Sequence, residues 1–284
     1  MSRRSHSFLS PKALAEAIGV SESSVKRWAD DGRIQIQRTS GGHRRIPLAE
    51  AARFVREERL TLADPASLGL VVPHHLEAAA DPIEAALRRG ATTELHDLLA
   101  SRYLAGEPLA SLFDGPLAHG LAAVGELWNS DDSGIFVEHR ASAAVRDALA
   151  GLGRLVPKPA AAAPRAVGGC LAGDPGQLAT AMASLVLASE GLATMDLGAD
   201  TPASALLHAA GDHDAGLVWL SITHAPQDPS AAQAELDRLR EGLGARRLVV
   251  GGAGARGLDL GRGPVAVATM AELAAFGAGL VSAG

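Results

Sequence analysis

The sequence predicts a multidomain chain of α and α/β class. Three observations carry that prediction. The first 60 residues join short helical stretches to a strand–turn–strand pattern. The middle of the chain keeps its apolar residues at helical spacing. The last third alternates strand-like apolar runs with helical stretches, the pattern of a parallel sheet covered on both faces.

Two stretches rich in Pro, Gly and Ala divide these parts. Residues 61–75 contain Pro65, Gly69 and Pro73, and residues 155–165 contain Pro157, Pro159 and Pro164 around an alanine run. Proline opposes helix continuation and small residues pack little, so both read as linkers. The expected domains are therefore 1–60, 76–154 and 166–284.

Charge separates the same parts. Residues 1–60 carry 12 Lys/Arg against 7 Asp/Glu, whereas the remainder carries 14 against 25. A basic head on an acidic chain is an electrostatic footprint for nucleic acid. Cys170 is the single cysteine, which excludes an internal disulfide framework and points to a reducing compartment, hence the cytoplasm. Arg3 and Arg4 are followed by no apolar core, so the start does not read as a signal peptide. No apolar run approaches the roughly 18 residues that span a membrane, and no membrane partner is expected.

In the head, Ser10-Pro11 starts a helix with a hydroxyl cap and a proline at the first helical position. Leu14, Ala15 and Ile18 point inward, Gly19-Val20 turns, and Ser21 caps a second helix that buries Val25 and Trp28. Ala15, Gly19 and Val25 have the spacing of a helix-turn-helix, in which small residues allow close crossing. Ser23, Ser24, Lys26 and Arg27 are left facing out, a mixture suited to phosphates and base edges. Residues 33–38 alternate as a strand ending at Arg38, Ser40-Gly41-Gly42 turns, and His43-Arg44-Arg45-Ile46-Pro47 returns, which makes a wing with a basic tip. Residues 48–60 form a further helix. Charge clusters alone usually mark a solvated surface; here helix-turn-helix, wing and basic excess coincide in order. This head resembles the MerR-type winged helix-turn-helix, including the run Thr39-Ser40-Gly41-Gly42-His43-Arg44-Arg45. The resemblance implies a double-stranded DNA operator, read through Ser23, Ser24, Lys26, Arg27, Arg38, His43, Arg44 and Arg45.

In the middle segment, Ile83, Leu87, Leu95, Leu98 and Leu99, then Leu109, Leu112, Leu117 and Leu121, then Val145, Leu149 and Leu152 recur at helical spacing. Breaks at Gly90, Gly106 and 129–134 leave about four helices, a bundle. In the last segment, strands are expected at 166–171, 193–197, 217–222, 248–250 and 265–268, with helices at 178–189, 202–210, 231–243 and 270–280. That order predicts a flavodoxin- or Rossmann-like parallel sheet whose ligands meet the carboxyl ends of the strands. The unusual strand ends are Gly173–Ala179, Ser221-Ile222-Thr223-His224 and Gly251-Gly252-Ala253-Gly254, the last lacking side chains that would keep a ligand off the backbone.

Asp174-Pro175-Gly176-Gln177-Leu178-Ala179 resembles the cobalamin-binding loop Asp-x-His-x-x-Gly, with Gly176 at the place of the cobalt-ligating His and Ala179 at that of the final Gly. Ser221 matches the serine of that family's Ser-x-Leu element, with Thr223 in place of Leu. Gly251-Gly252 matches its paired glycines beside the nucleotide tail. Trp128, followed by nine residues and then Glu138-His139, resembles the Trp-x9-Glu-His signature of CarH/LitR-type regulators, which are light-responsive repressors that bind adenosylcobalamin. The resemblance implies a B12-binding-like fold, with the bundle as a cap, Trp128, Glu138 and His139 lining an upper pocket, and a dimer or tetramer. It places Asn129 where some members carry a second cobalt-ligating histidine. A neutral amide and a glycine are poor substitutes for imidazole. No metal ligand is expected at either place, and His224 is the remaining imidazole at a strand end.

The expected function is a DNA-binding transcriptional regulator, a repressor, that is not an enzyme. Its B12-like half sets oligomerisation and DNA affinity without the usual cobalt–His ligation. The candidate ligand residues are Trp128, Asn129, Glu138, His139, Asp174, Gly176, Gln177, Ser221, Thr223, His224, Gly251 and Gly252. The effector is a cobalamin, as adenosylcobalamin or in a base-on form, another small molecule, or a partner protein. Two alternatives stand beside this reading: a light-sensing adenosylcobalamin repressor with unusual cobalt ligation, and a corrinoid-dependent enzyme subunit. The sequence holds no Cys/His metal set, P-loop or nucleophile elbow.

Overall fold

The computed structural model describes residues 8–68, 70, 81–126 and 132–282, and divides the chain into two units, Met1–Pro157 and Lys158–Gly284. In the first unit, Ser10 Oγ accepts the Ala13 N–H at 3.1 Å and starts α1 (Pro11–Ile18). Gly19 ends it with φ of 70°. A side chain there would be strained and would press on the Ala63 methyl. Ser21 accepts the Ser24 N–H at 3.2 Å and starts α2 (Glu22–Asp30). Helix α3 spans Leu48–Glu57.

The wing is smaller than the sequence suggests. Of residues 33–38, only β2 (Gln37–Arg38) pairs with β3 (Arg44–Pro47). Residues 33 and 34 instead turn back on α2, their amides bonding Trp28 O at 2.9 and 3.3 Å, and Ile34 is buried. A two-residue strand, β1 (Phe8–Leu9), pairs with the other edge of β3; it is too short to show periodicity. Leu14, Val25, Ile34, Ile46, Phe54 and Val55 form the core of the head.

The beginning of the stretch read as a linker belongs to this core. Ala63 N–H donates to Ala17 O at 2.8 Å, and Leu62 and Leu68 pack against the head. Asp64 accepts from Ala66 N at 3.1 Å and Ser67 Oγ at 2.6 Å and so caps the 3-10 turn Pro65–Leu68. Proline here starts a packed turn rather than a free spacer.

The bundle comprises α4 (Pro82–Arg89), α5 (Thr92–Leu104), a helical run over 109–125, and α8 (Asp132–Gly153). The run consists of α6 (Leu109–Leu112), a π-helical turn (Phe113–Leu117) and α7 (Ala118–Gly125). Pro116 lies inside the π turn; its ring and missing N–H disrupt an α-helical ladder, which the wider turn accommodates. Helix α8 starts at Asp132, so Gly134, read as part of a break, lies within it.

In the second unit, β4 (Arg165–Cys170), β5 (Ala193–Asp196), β6 (Leu217–Ser221), β7 (Arg247–Gly251) and β8 (Val265–Val267) form one parallel sheet in the order β5-β4-β6-β7-β8. Successive residues serve opposite faces. Ala166, Leu217, Trp219 and Val249 pack with α9 (Gln177–Ser189) and α12 (Met270–Ser282). Val167, Val218, Leu220 and Val250 pack with α10 (Ala203–Asp212) and α11 (Pro229–Gly242). The chain runs outward from β4 to β5, then crosses to β6 on the other side of β4. The crevice of such a sheet lies at that reversal, between the loops after β4 and β6.

Candidate DNA-reading face and ligand edge

Helix α2 and the wing line one basic cleft of about 440 Å³, to which Lys26, Arg38, His43, Arg44 and Arg45 contribute. Arg27, Arg38 and Arg45 are exposed and enter none of the ion pairs among the described residues, so their charges face solvent. Lys26 pairs with Glu22 at 2.8 Å, one turn back on α2. Arg44 differs. It stands opposite Arg38 in the hairpin, and like charges so placed repel. Asp30 at the end of α2 meets Arg44 Nη2 at 2.6 Å and offsets that repulsion. Arg44 therefore ties the wing to α2, a role the sequence reading did not assign to it. The Ser23 and Ser24 hydroxyls lie 2.8 and 2.9 Å from Ser21 Oγ, so they are engaged at the helix start.

Arg56 on α3 links this head to the bundle. Its guanidinium lies over the Tyr103 ring at 3.9 Å and donates to the carbonyls of Tyr103, in the last turn of α5, and of Glu107, just beyond it. A cation at a helix C-terminus is favoured by the carbonyl dipoles gathered there. Nothing in the local sequence announces this contact, because its partners lie 47 and 51 residues away.

Trp128 and Asn129 lie outside the described residues. Glu138 and His139 sit on α8, where Glu138 accepts the Ser142 hydroxyl at 2.7 Å and stands 3.6 Å from His139 Nε2. Phe136, not singled out from the sequence, is 62% exposed on the same helix, with the Arg140 guanidinium 5.0 Å from its ring. Its signal was an aromatic residue in a chain with few of them.

The sheet edge is built around Asp174. This carboxylate is buried, yet accepts Thr223 Oγ1 at 2.5 Å, His224 Nδ1 at 3.0 Å, Gly176 N–H at 2.9 Å and the Thr223 amide. Burial opposes its ionisation, but hydrogen bonds from His224, Thr223 and Gly176 outweigh that and hold its carboxyl below the usual range. The loops after β4 and β6, whose key residues are 49 and 50 positions apart, are thereby knotted together at the reversal of the sheet.

Gly176 has no room for a side chain, because a Cβ would overlap Thr223 Oγ1. The close approach permitted by the glycines after β7 is made by the chain's own backbone. A Cβ on Gly252 would meet Ile222 O, and one on Gly254 would meet His224 O. Ser221 is buried, in register with Cys170 and Gly251, whereas Gln177 is exposed at the start of α9. Burial, together with the Asp174 and Asp196 carboxylates, pushes the Cys170 thiol up to about 12, which leaves it inert as a nucleophile. Deeper in the sheet, Trp219 Nε1 donates to Thr180 Oγ1 at 2.9 Å, which donates to Asp196 at 2.8 Å. Burial raises the Asp196 carboxyl.

With this geometry in place, a helix-turn-helix domain model matches residues 8–59 and a B12 binding domain model matches residues 79–152, the bundle segment. The monomethylamine corrinoid protein of Methanosarcina barkeri shares the fold at 19% identity and a TM-score of 0.56, over 69% of this chain and 95% of that one. Two further solved structures match with lower similarity. The methanol:cobalamin methyltransferase complex of the same organism matches at 16% identity and TM-score 0.38, over 72% of this chain and 79% of that one. A cobalamin-binding protein from Desulfitobacterium hafniense DCB-2 matches at 15% identity and TM-score 0.34, over 69% and 95%. No curated protein matches the chain. The chain thus joins a helix-turn-helix domain to a B12 binding domain on a corrinoid-protein-like fold. Among the described residues, no helix is long and apolar enough to cross a membrane.

Proposed function

We propose that this chain is a MerR-type transcriptional repressor of CarH/LitR-like organisation, which binds a cobalamin in its B12 half and transmits that binding to its DNA-reading head. The observation that carries the reading is the union of a helix-turn-helix domain with a B12 binding domain, joined by Arg56 from α3 to the end of α5. A small head reads a half-site, so affinity rises when two heads are tethered. A ligand that shifts the bundle therefore changes how many heads act together, as a dimer or tetramer. The attached head supports a regulator over a corrinoid-dependent enzyme subunit.

The basic cleft supports a phosphate-rich partner: Arg38, Arg45 and Lys26 supply charge there, His43 sits at the wing tip, and Arg27 is exposed on the same helix as Lys26. Gly176 offers no donor to cobalt, so any protein donor to a bound corrinoid would have to come from elsewhere in the chain.

The test is direct. Purified protein is incubated in the dark with adenosylcobalamin, methylcobalamin or hydroxocobalamin, desalted, and examined for corrin absorption. Its size and its affinity for operator-containing DNA are then compared before and after illumination. Retained colour with a ligand-dependent change in assembly and DNA affinity is expected. A colourless protein whose DNA binding ignores all three compounds would overturn the reading.

A further inference from the structure

Resting on the cobalamin reading above, we propose that His224 Nε2 is the protein's axial donor to the corrinoid cobalt, with Asp174 as its positioning residue. The donor thus comes from the loop after β6 instead of the loop after β4.

The geometry builds this case from the ring outward. His224 Nδ1 lies 3.0 Å from Asp174 Oδ1. An ionised carboxylate can only accept, so Nδ1 carries the proton, and in the neutral ring Nε2 holds the free lone pair. A carboxylate behind an imidazole fixes its tautomer and orientation and raises its basicity as a metal ligand. Asp174 is itself fixed: it is 5% exposed and also held by Thr223 and Gly176. The His224 side chain is 65% exposed, so the ring reaches out of the crevice from a buried anchor.

Position also favours it. His224 follows β6, at the reversal of strand order where open α/β sheets bind ligands. Gly254 allows the loop after β7 to press its backbone against His224 O, which braces the segment from the other side. Thr223 fills the space beside Gly176, so a side chain at residue 176 and the present Asp174–Thr223–His224 knot exclude one another.

The donor count points to a macrocycle. Among the described residues, no group of three or more His, Cys, Asp or Glu side chains could hold a metal ion. A single imidazole binds a bare cation weakly. It suits a metal that a macrocycle such as a corrin already holds, to which the protein need supply only one donor.

The experiment uses full-length protein grown with ¹⁵N-histidine, loaded with hydroxocobalamin and reduced to Co(II). Electron paramagnetic resonance then reads the axial nitrogen, because ¹⁴N splits each cobalt line into a triplet and ¹⁵N into a doublet. Doublets are expected in the labelled protein and their loss in His224→Ala. Asp174→Asn, checked for native circular dichroism, is expected to retain the doublet while weakening corrinoid affinity roughly 10-fold to 100-fold. Triplets in the labelled protein would mean that the corrinoid's own base stays on cobalt, and would overturn the His224 assignment alone. Doublets that survive in His224→Ala would assign another histidine. Failure to retain any corrinoid would overturn the cobalamin reading and this assignment with it.

Discussion

Thr223 occupies the space that a side chain on Gly176 would need, and the same hydroxyl donates to Asp174 at 2.5 Å. Adding a Cβ at residue 176 must therefore displace Thr223 and loosen the Asp174 knot. Gly176→Ala is expected to lower stability by about 1–3 kcal/mol, the usual range for overpacking. Gly176→Ala with Thr223→Ala should cost less than the sum of the two single changes, because the overlap with Thr223 Oγ1 and Cγ2 is removed and only the closer approach to its Cβ remains. Urea denaturation of the four proteins checks this; strict additivity would show that the two residues do not compete. For the same reason, Gly176→His with Ala179→Gly should not recreate an imidazole site unless Thr223 is also reduced.

The head separates two kinds of arginine. Arg27→Ala, Arg38→Ala and Arg45→Ala should each weaken DNA binding on all sequences and lower the salt slope by about 1. Arg44 is anchored to Asp30, so Arg44→Ala and Asp30→Ala should each destabilise the head by about 1 kcal/mol or less. Anisotropy titrations over a salt series, with thermal unfolding beside them, distinguish the cases. If Asp30→Ala left stability unchanged while Arg44→Ala flattened the salt slope as the others do, Arg44 would belong with the phosphate contacts.

Arg56 carries the contact between head and bundle. Arg56→Ala removes charge-assisted bonds to two carbonyls and the stacking on Tyr103, and should cost about 1.5–3 kcal/mol. Arg56→Lys should recover only part, since an ammonium lacks the planar fork. The readout is the difference in DNA affinity with and without bound cobalamin, which should shrink in both variants. An undiminished difference would place the coupling on other contacts.

Asp174 and Asp196 should respond to pH with opposite signs. The folded pKa of Asp174 is depressed, so its stabilisation is fully present above the unfolded value near 3.8 and is lost as pH falls through the lower folded value. The folded pKa of Asp196 is raised by burial, so its contribution is present below 3.8 and is lost as pH rises through the higher folded value. Thermal midpoints between about pH 3 and pH 7 should show the deficit of Asp174→Asn shrinking toward acid. Asp196→Asn should gain on the wild type toward neutral pH. Parallel curves for all three proteins would contradict both assignments.

The sequence by itself determined the order of elements and their chemistry. Ser10-Pro11 and Ser21 are local caps, the basic wing is a contiguous run, and the strands of the sheet are apolar runs bounded by turns. Each is a property of neighbouring residues, so periodicity and capping rules reach it. The helix-turn-helix head and the B12-type half were legible through the family motifs they resemble, and domain models match residues 8–59 and 79–152. Only the tertiary structure decided what the special positions do. Gly176 reads as a missing ligand in one dimension, but in three its space belongs to Thr223. Arg44 reads as one more basic residue until Asp30 stands 2.6 Å away. His224 is a polar loop residue until the parallel pairing of β4 with β6 brings Asp174, 50 positions earlier, against its ring. Side chains that distant meet because hydrophobic burial on both faces of the sheet fixes the register of its strands, and register is a property of the whole domain.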